Sequence, residues 1–382
     1  MKKNMKIDVP VEDVPKKQKK QKKGSGLLGR FIRRFFLLLF TVIILIVAAL
    51  VLVMNMIFNG PSPAAREVLT MSLIEASATK WVPALFIGEE MVAEIQTSIS
   101  APLQEEVSNT TSVVIQKGSA LTSTTDEWKD HPDGIRIEHV PGDTYNAHIM
   151  IIRDPSQVYM ATSTEKFSTA IPGKRINQAI EDEGAVAAIN AGAFFDDGTA
   201  SSSVGSYPLG LVMSNGKCVW TSGKQPGLEG FAGFNEDNIL VVSKTNLTQS
   251  QAEEMKIRDG CCFGPVLLMN SEVNMEAYNN NSGWNPRTAI GQRADGAVIF
   301  VCIDGRQVGS PGGTYADIIN IMVEYVAVNA CNMDGGSSSV MMYRDVHGKL
   351  GNAGEVHMIN NYSLLQSEPR RMPNFWMVRP AQ

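Results

Sequence analysis

The chain has 382 residues, is 44% hydrophobic and carries 33 glycines, which excludes a disordered chain and leaves room for one large domain or two ordinary ones. Its net charge of -5 hides a division: the first 34 residues hold twelve Lys or Arg against Asp8, Glu12 and Asp13, a surplus of nine, so the remainder carries -14. Basic charge confined to one end excludes a generally basic nucleic-acid-binding protein and points to two compartments.

Residues 35–58, FFLLLFTVIILIVAALVLVMNMIF, contain no charged residue and are long enough to cross about 30 Å of hydrocarbon as a helix. The run exceeds the 7–15 apolar residues typical of a cleaved signal peptide, so a retained transmembrane anchor in the lipid bilayer is expected. The positive-inside rule then keeps the basic tail, residues 1–34, in the cytoplasm and sends everything after the span outside. The expected location is the cell membrane, single-pass, with an extracytoplasmic C-terminal domain and no nucleic-acid partner.

Gly60-Pro61-Ser62-Pro63 ends the span. Val68, Met71, Leu73 and Ile74, then Met91, Val92 and Ile95 after Pro83, recur at helical spacing and predict two amphipathic helices between Ala64 and about Ser100. Ser108 to Asp133 is rich in Ser, Thr and Asp and reads as a linker. Residues 59–133 are thus juxtamembrane helices and linker, and 134–382 the main domain.

In that domain Ile135–Val140, Tyr145–Ile152 and Gln157–Thr162 are short β-rich runs separated by turn residues, the pattern of an antiparallel meander. Ile176–Glu183 reads as a helix, Ala185–Ile189 as a buried strand, and Ser214-Asn215-Gly216 as a hairpin turn of type I′. Gln249–Met255 is helical, Gly264–Leu268 and Ala297–Ile303 are buried strands, and Thr314 with Asp317 caps a helix whose stripe is Ile318, Ile321, Met322 and Tyr325. Phe375–Val378 closes the chain as a strand. The fold class expected is α+β: a mixed β-sheet domain with packed helices, preceded by a single transmembrane helix.

Val328–Tyr343, VNACNMDGGSSSVMMY, is the leading site candidate. Two apolar runs flank Asp334, Gly335, Gly336, Ser337 and Ser338, a loop expected to reach positive φ at both glycines and to offer a carboxylate, N–H groups and hydroxyls at a strand end. An inert Gly-Ser turn is the alternative. Asn190-Ala191-Gly192-Ala193-Phe194-Phe195-Asp196 also ends a buried strand; its polar ends suit sugar hydroxyls, its glycine a close ligand, and its aromatic pair a wall. A turn over two core phenylalanines is the alternative there. Arg287 in an apolar setting either pairs with an acid or awaits an anion. The Gly309–Gly313 loop before the capped helix exposes N–H groups that suit phosphate.

No G-x-S-x-G elbow, H-E-x-x-H, Walker loop or C-x-x-C pair occurs. The five histidines show no ligand spacing, and five cysteines cannot all pair within one chain. Cys302 and Cys331 sit in apolar strands as small core residues. No metal and no cofactor is expected.

NAGAFFD at Asn190–Asp196, NPRTAIG at Asn285–Gly291, Asp304-Gly305-Arg306, and NMDGGSS at Asn332–Ser338, in this order, resemble the phosphodiester glycosidase family over about Gly134–Pro380. Where the family pattern reads Leu-Asp-Gly-Gly-Gly-Ser, this chain has Met333-Asp334-Gly335-Gly336-Ser337-Ser338. The resemblance implies hydrolysis of a sugar-1-phosphodiester, with a sugar-phosphate or glycan as substrate. For that chemistry, in which a carboxylate stabilises an oxocarbenium-like state and cations hold the leaving phosphate, Asp334 and Asp304 are expected in the carboxylate roles, Arg287 and Arg306 on the phosphate, and Asn190, Asp196 and Ser338 on the sugar hydroxyls. Gly192, Phe195, Thr288, Gly335, Gly336 and Ser337, with Asn361 and Arg371 of the C-terminal segment, complete the expected substrate-binding set. For an outward-facing enzyme the substrates in reach are envelope glycans or exopolysaccharide. A glycan-binding scaffold that has kept the fold, and a phosphodiesterase that breaks P–O, are the competing functions.

Overall fold

The computed structural model describes residues 27–74, 79–99, 107–115, 126–195, 204–222, 229–280, 282–362 and 368–381. The chain divides into a unit ending at Met54 and one running from Asn55 to Gln382. The first consists, in its described part, of most of helix α1 (Leu27–Phe58). Its stretch Arg30–Phe58 reaches a mean hydropathy of 3.4, with the apolar side chains from Phe31 to Val53 exposed and Phe58 buried, the length and composition of a membrane span.

The second unit opens with α2 (Pro63–Ile74) and α3 (Val82–Ile99), the two helices expected; α3 is broken at Gly88, where φ is 78. There follow β1 (Ile135–Pro141), β2 (Asn146–Ile152), β3 (Val158–Thr162), α4 (Ile176–Glu183), β4 (Ala187–Asn190), β5 (Leu211–Ser214) and β6 (Lys217–Thr221). Next come β7 (Phe231–Asn235), β8 (Leu240–Ser243), α5 (Gln249–Glu254), β9 (Ile257–Cys262), β10 (Val266–Met269), β11 (Glu272–Val273) and α6 (Met275–Tyr278). The chain ends with β12 (Arg287–Arg293), β13 (Val298–Ile303), α7 (Tyr315–Glu324), β14 (Ala327–Met333), β15 (Met341–Arg344), β16 (Val356–Met358) and β17 (Asn374–Val378).

The strands form three sheets, in the orders β1-β2-β13-β12-β14-β10-β11, β16-β15-β4-β17-β3 and β6-β5-β9-β7-β8. Every named pairing is antiparallel, from β1 with β2 to β7 with β9. One core lies between the three: Ile290 and Phe300 come from the first sheet, Ile189 and Trp376 from the second, Val212 and Phe234 from the third. Each sheet's other face carries a helix, α7 on the first, α4 on the second and α5 on the third. Burial on both faces explains why β13, β14 and β17 read as unbroken apolar runs. The fold is α+β, as expected.

The differences are local. The expected meander stops at two strands, because β3 leaves to pair with β17 in the second sheet. The expected linker is packed in its described parts: Ser108 exchanges hydrogen bonds with Val242, and Val113 and Trp128 are buried. Asn215 and Gly216 have φ of 50 and 72, the type I′ turn predicted.

Candidate active site

Antiparallel register brings the start of β12, the end of β13 and the end of β14 together: Arg287 lies opposite Ile303, and Thr288 opposite Met333. The second sheet meets them with the end of β4 and the starts of β15 and β17, since Asn190 pairs with Phe375 and Ile189 with Met341. All four motifs therefore converge on one sheet junction.

Asn190 is the joint. It is fully buried; its Nδ2 donates to the Asp334 carbonyl (2.6 Å), and its Oδ1 accepts from Thr288 Oγ1 (2.9 Å) and the Val340 N–H (3.1 Å). These bonds commit Asn190 and Thr288 to holding the loop rather than to the surface where a sugar would lie. The Gly192 N–H donates to Asn374 Oδ1, and a Cβ there would meet the Cys262 carbonyl at 2.8 Å. The glycine serves close packing on β9, in place of the ligand approach expected.

The Asp334 N–H donates to the Ala191 carbonyl (3.1 Å), and the residue is half-buried. Gly335 has a φ of -106, so of the two glycines it is Gly336, at 60, that supplies the left-handed turn. Its N–H donates to the Pro286 carbonyl (2.8 Å), linking this motif to the Arg287 motif. Arg306, exposed and itself at φ 58, donates to Asn285 Oδ1 (3.1 Å) and lies across Gly336. Ser337 Oγ accepts from Arg370 (3.2 Å), whose guanidinium sits 4.7 Å from the centre of the Phe194 ring. The buried Ser338 Oγ and Asn285 Nδ2 have no hydrogen-bond partner among the described residues.

Asp304 is buried with both oxygens engaged: Oδ1 accepts the Asn361 N–H (2.9 Å), and Oδ2 accepts from Asn361 Nδ2 (2.8 Å) and stands 3.1 Å from His148 Nε2. It orients the exposed Asn361. Tyr362 donates its hydroxyl to the Ser337 carbonyl and accepts the Arg370 N–H. Burial raises its pKa, opposed by the N–H and positive charge of Arg370 and the charges of Arg175 and Arg306.

Arg287 is also buried. Its Nε donates to the Gly313 carbonyl (3.1 Å) and its Nη2 to those of Ser282 and Gly283 (2.9 and 3.1 Å), with its plane over Tyr315. It stitches the loop at Ser282-Gly283 to the one at Gly313. The helix end expected to suit phosphate is used internally: the N–H groups of Thr314, Tyr315 and Asp317 bind Asp317 Oδ2, Ser282 Oγ and Thr314 Oγ1. Phe195, 41% exposed, stacks on Tyr207, while Phe194 is buried. Arg371 turns away to the Gly173 carbonyl. Asp196 lies outside the described residues.

Sequence reasoning missed Asn285, Tyr362, Arg370 and His148. Asn285 opens the motif NPRTAIG, and His148 is a polar residue in the apolar run of β2, itself a signal. Only the fold separates Arg370 from Arg371. Among the described residues no group of three or more His, Cys, Asp or Glu is placed to hold a metal ion.

The structure resembles the catalytic domain of zebrafish N-acetylglucosamine-1-phosphodiester alpha-N-acetylglucosaminidase, auto-inhibited by its pro-peptide, at 19% identity and a TM-score of 0.50 over 74% of this chain and 91% of that one. A hypothetical protein from Synechocystis is more distant, at 15% identity and a TM-score of 0.43 over 64% of this chain and 62% of that one. In sequence, the SPbeta prophage-derived uncharacterized protein YomE of Bacillus subtilis (strain 168) is 24% identical over 191 residues, which is 49% of this chain and 27% of that protein. The chain thus spans about a quarter of that relative's length. The family model described as phosphodiester glycosidase matches residues 183–379, which takes in more than half of the chain and all four motifs at the sheet junction, so the chain belongs to the phosphodiester glycosidase family.

Proposed function

We propose that the domain hydrolyses sugar-1-phosphodiesters at the glycosidic C–O bond, releasing the sugar and leaving a phosphomonoester on the other product. The observation that carries this reading is Arg306 lying over Gly336 with Arg370 on Ser337, two guanidinium groups on one turn directly after Asp334. Phosphate departs as a stable anion, so cations and N–H donors that hold its charge matter more than a strong general acid. The sugar passes through an oxocarbenium-like state, which a carboxylate stabilises. Asp334, half-buried and directly before that turn, takes that role. Asp304 acts through Asn361, and Asn190, Thr288 and Arg287 hold the loops. The unpartnered Ser338 Oγ and Asn285 Nδ2 suit a polar ligand.

The helix Arg30–Phe58 anchors the enzyme in the cell membrane with its basic N-terminus in the cytoplasm, and the domain acts outside on envelope glycans or exopolysaccharide. The test is turnover by the full chain in detergent micelles, in oxygen-18 water, on an N-acetylglucosamine-1-phosphodiester, the class named for the zebrafish enzyme. Label in the sugar is expected, with Asp334→Asn inactive. Label in the phosphate would mean P–O cleavage, and no turnover across a panel of sugar-1-phosphodiesters would favour a glycan-binding protein.

A further inference from the structure

The chain has five histidines, spread over more than 200 positions, and all of them, His131, His139, His148, His347 and His357, line one cleft of about 530 Å³. The cleft lies beside β1 and β2 of the first sheet and β15 and β16 of the second. His139 and His148 face each other across the β1/β2 register, with ring centres 5.0 Å apart. His357 lies opposite Tyr343 in the β15/β16 register. Ile135, Ile137, Met358 and Ile359 supply apolar walls. The active-site loops do not account for this gathering, since of the five only His148 touches them, through Asp304.

The charges around the cleft decide what it takes. Asp133 already accepts from the Tyr343 hydroxyl (2.6 Å), with His347 Nε2 4.0 Å away. Glu138 is committed to Arg136 and the Tyr325 hydroxyl. Asp304 holds Asn361 as well as His148, and the Asp345 carboxylate, behind His347, is taken up by backbone N–H groups. Glu355, 3.9 Å from His357, is exposed, and Lys349 adds a further cation, donating to the Asp130 carbonyl. His357 Nε2 is a buried atom without a hydrogen-bond partner. Of these five carboxylates only Glu138 is paired with an arginine or lysine, and the others keep their negative charge, so the cleft turns cationic only once its imidazoles carry protons, which imidazoles take up between about pH 8 and 5. Two charged rings 5.0 Å apart repel unless an anion joins them. No three of these groups are set to hold a single metal ion; the space is that of a larger ligand with several acceptor oxygens.

We propose that this cleft is a second binding site, for a phosphate-type oxyanion, free or as a phosphate ester, and that it fills as its histidines gain protons. The inference is independent of the reaction proposed above, and its test does not use turnover. The full chain in detergent micelles, carrying ring-labelled histidine, gives five imidazole signals, each assigned by one His→Gln substitution. Inorganic phosphate, sulfate and glycerol 1-phosphate are titrated at pH 5.5 and pH 8, with chloride holding ionic strength constant. Saturable shifts of the His139, His347 and His357 signals are expected at pH 5.5 and at least tenfold weaker binding at pH 8, for sulfate as well, whose own charge is constant over this range. Tighter binding of glycerol 1-phosphate identifies the ester as the ligand, and tighter binding of phosphate the free ion. His139→Gln with His357→Gln should weaken binding at least tenfold without lowering Tm. No saturable shift, equal binding at both pH values, or an equal effect of chloride would overturn the proposal.

Discussion

Arg306 lies across the face of Gly336: a Cβ on that glycine would stand 3.1 Å from Arg306 Nη2 and 3.3 Å from Nη1. Gly336 also has a φ of 60, which costs a residue with a Cβ about 1–2 kcal/mol. Gly336→Ala is therefore expected to displace the guanidinium and lower kcat/KM on a sugar-1-phosphodiester about 10- to 100-fold, roughly 1.4–2.7 kcal/mol. Arg306→Ala should cost about 10²–10³, and Arg306→Lys should restore little, because a lysine lacks the planar fork. Turnover of Gly336→Ala within twofold of the parent would remove Arg306 from the site.

Asp304 and Asn361 should part company in stability while agreeing in activity. Asp304 is buried and accepts three contacts, whereas Asn361 is exposed. Asp304→Asn puts a donor against donors and should destabilise by about 2–3 kcal/mol; Asn361→Ala should lie within about 1 kcal/mol of the parent. Similar losses of kcat, with only Asp304→Asn lowering Tm, are expected. If Asn361→Ala kept full kcat while Asp304→Asn lost it, Asp304 would act on the substrate directly.

Asn190→Ala removes three hydrogen bonds from a fully buried site. The expected cost is about 2–4 kcal/mol, which a thermal melt should show as a fall of roughly 4–16 °C for a domain of this size. A melt unchanged within a degree would mean that Asn190 is not the joint between the sheets.

The turn after β15 should be acid-labile. Burial works against the Asp345 carboxylate, but the N–H groups of Leu350, Lys349, His347 and Gly351 prevail and hold its pKa below the usual value. A carboxyl group lowered in the folded state contributes stability that is present above the unfolded pKa, about 3.9, and is lost as pH falls through the lower folded value. Amide exchange at Leu350 and Gly351 should therefore stay slow at pH 5 and lose protection only below about pH 3.9. Asp345→Asn should lose it at both.

Much of this architecture is legible in the sequence because its signals are local. The helix capped by Thr314 and Asp317, the Asn215-Gly216 turn and the apolar runs of β13 and β14 all follow from short-range periodicity and turn chemistry. Sheet membership is not local: nothing in Val158–Thr162 announces that β3 abandons β2 for β17, 216 residues later. The site shows the same split. The motifs mark its neighbourhood, but burial decides that Asn190, Thr288 and Arg287 hold the loops, while Arg306 and Arg370 reach the turn. The gathering of five histidines left no trace in their spacing, because each comes from a different strand or loop.

The bonds that close the junction join residues 98, 144 and 150 positions apart, from Asn190 to Thr288, Asp334 and Val340. Contacts this distant in sequence require the loop-closure entropy to be met before they return any stability. The junction also needs β17, the last strand, before its second sheet is complete. A growing or truncated chain thus carries no half-built junction, and under the proposed reaction the recovery of turnover on refolding should trail the recovery of secondary structure. The proposed activity would then serve as a clock for the end of folding.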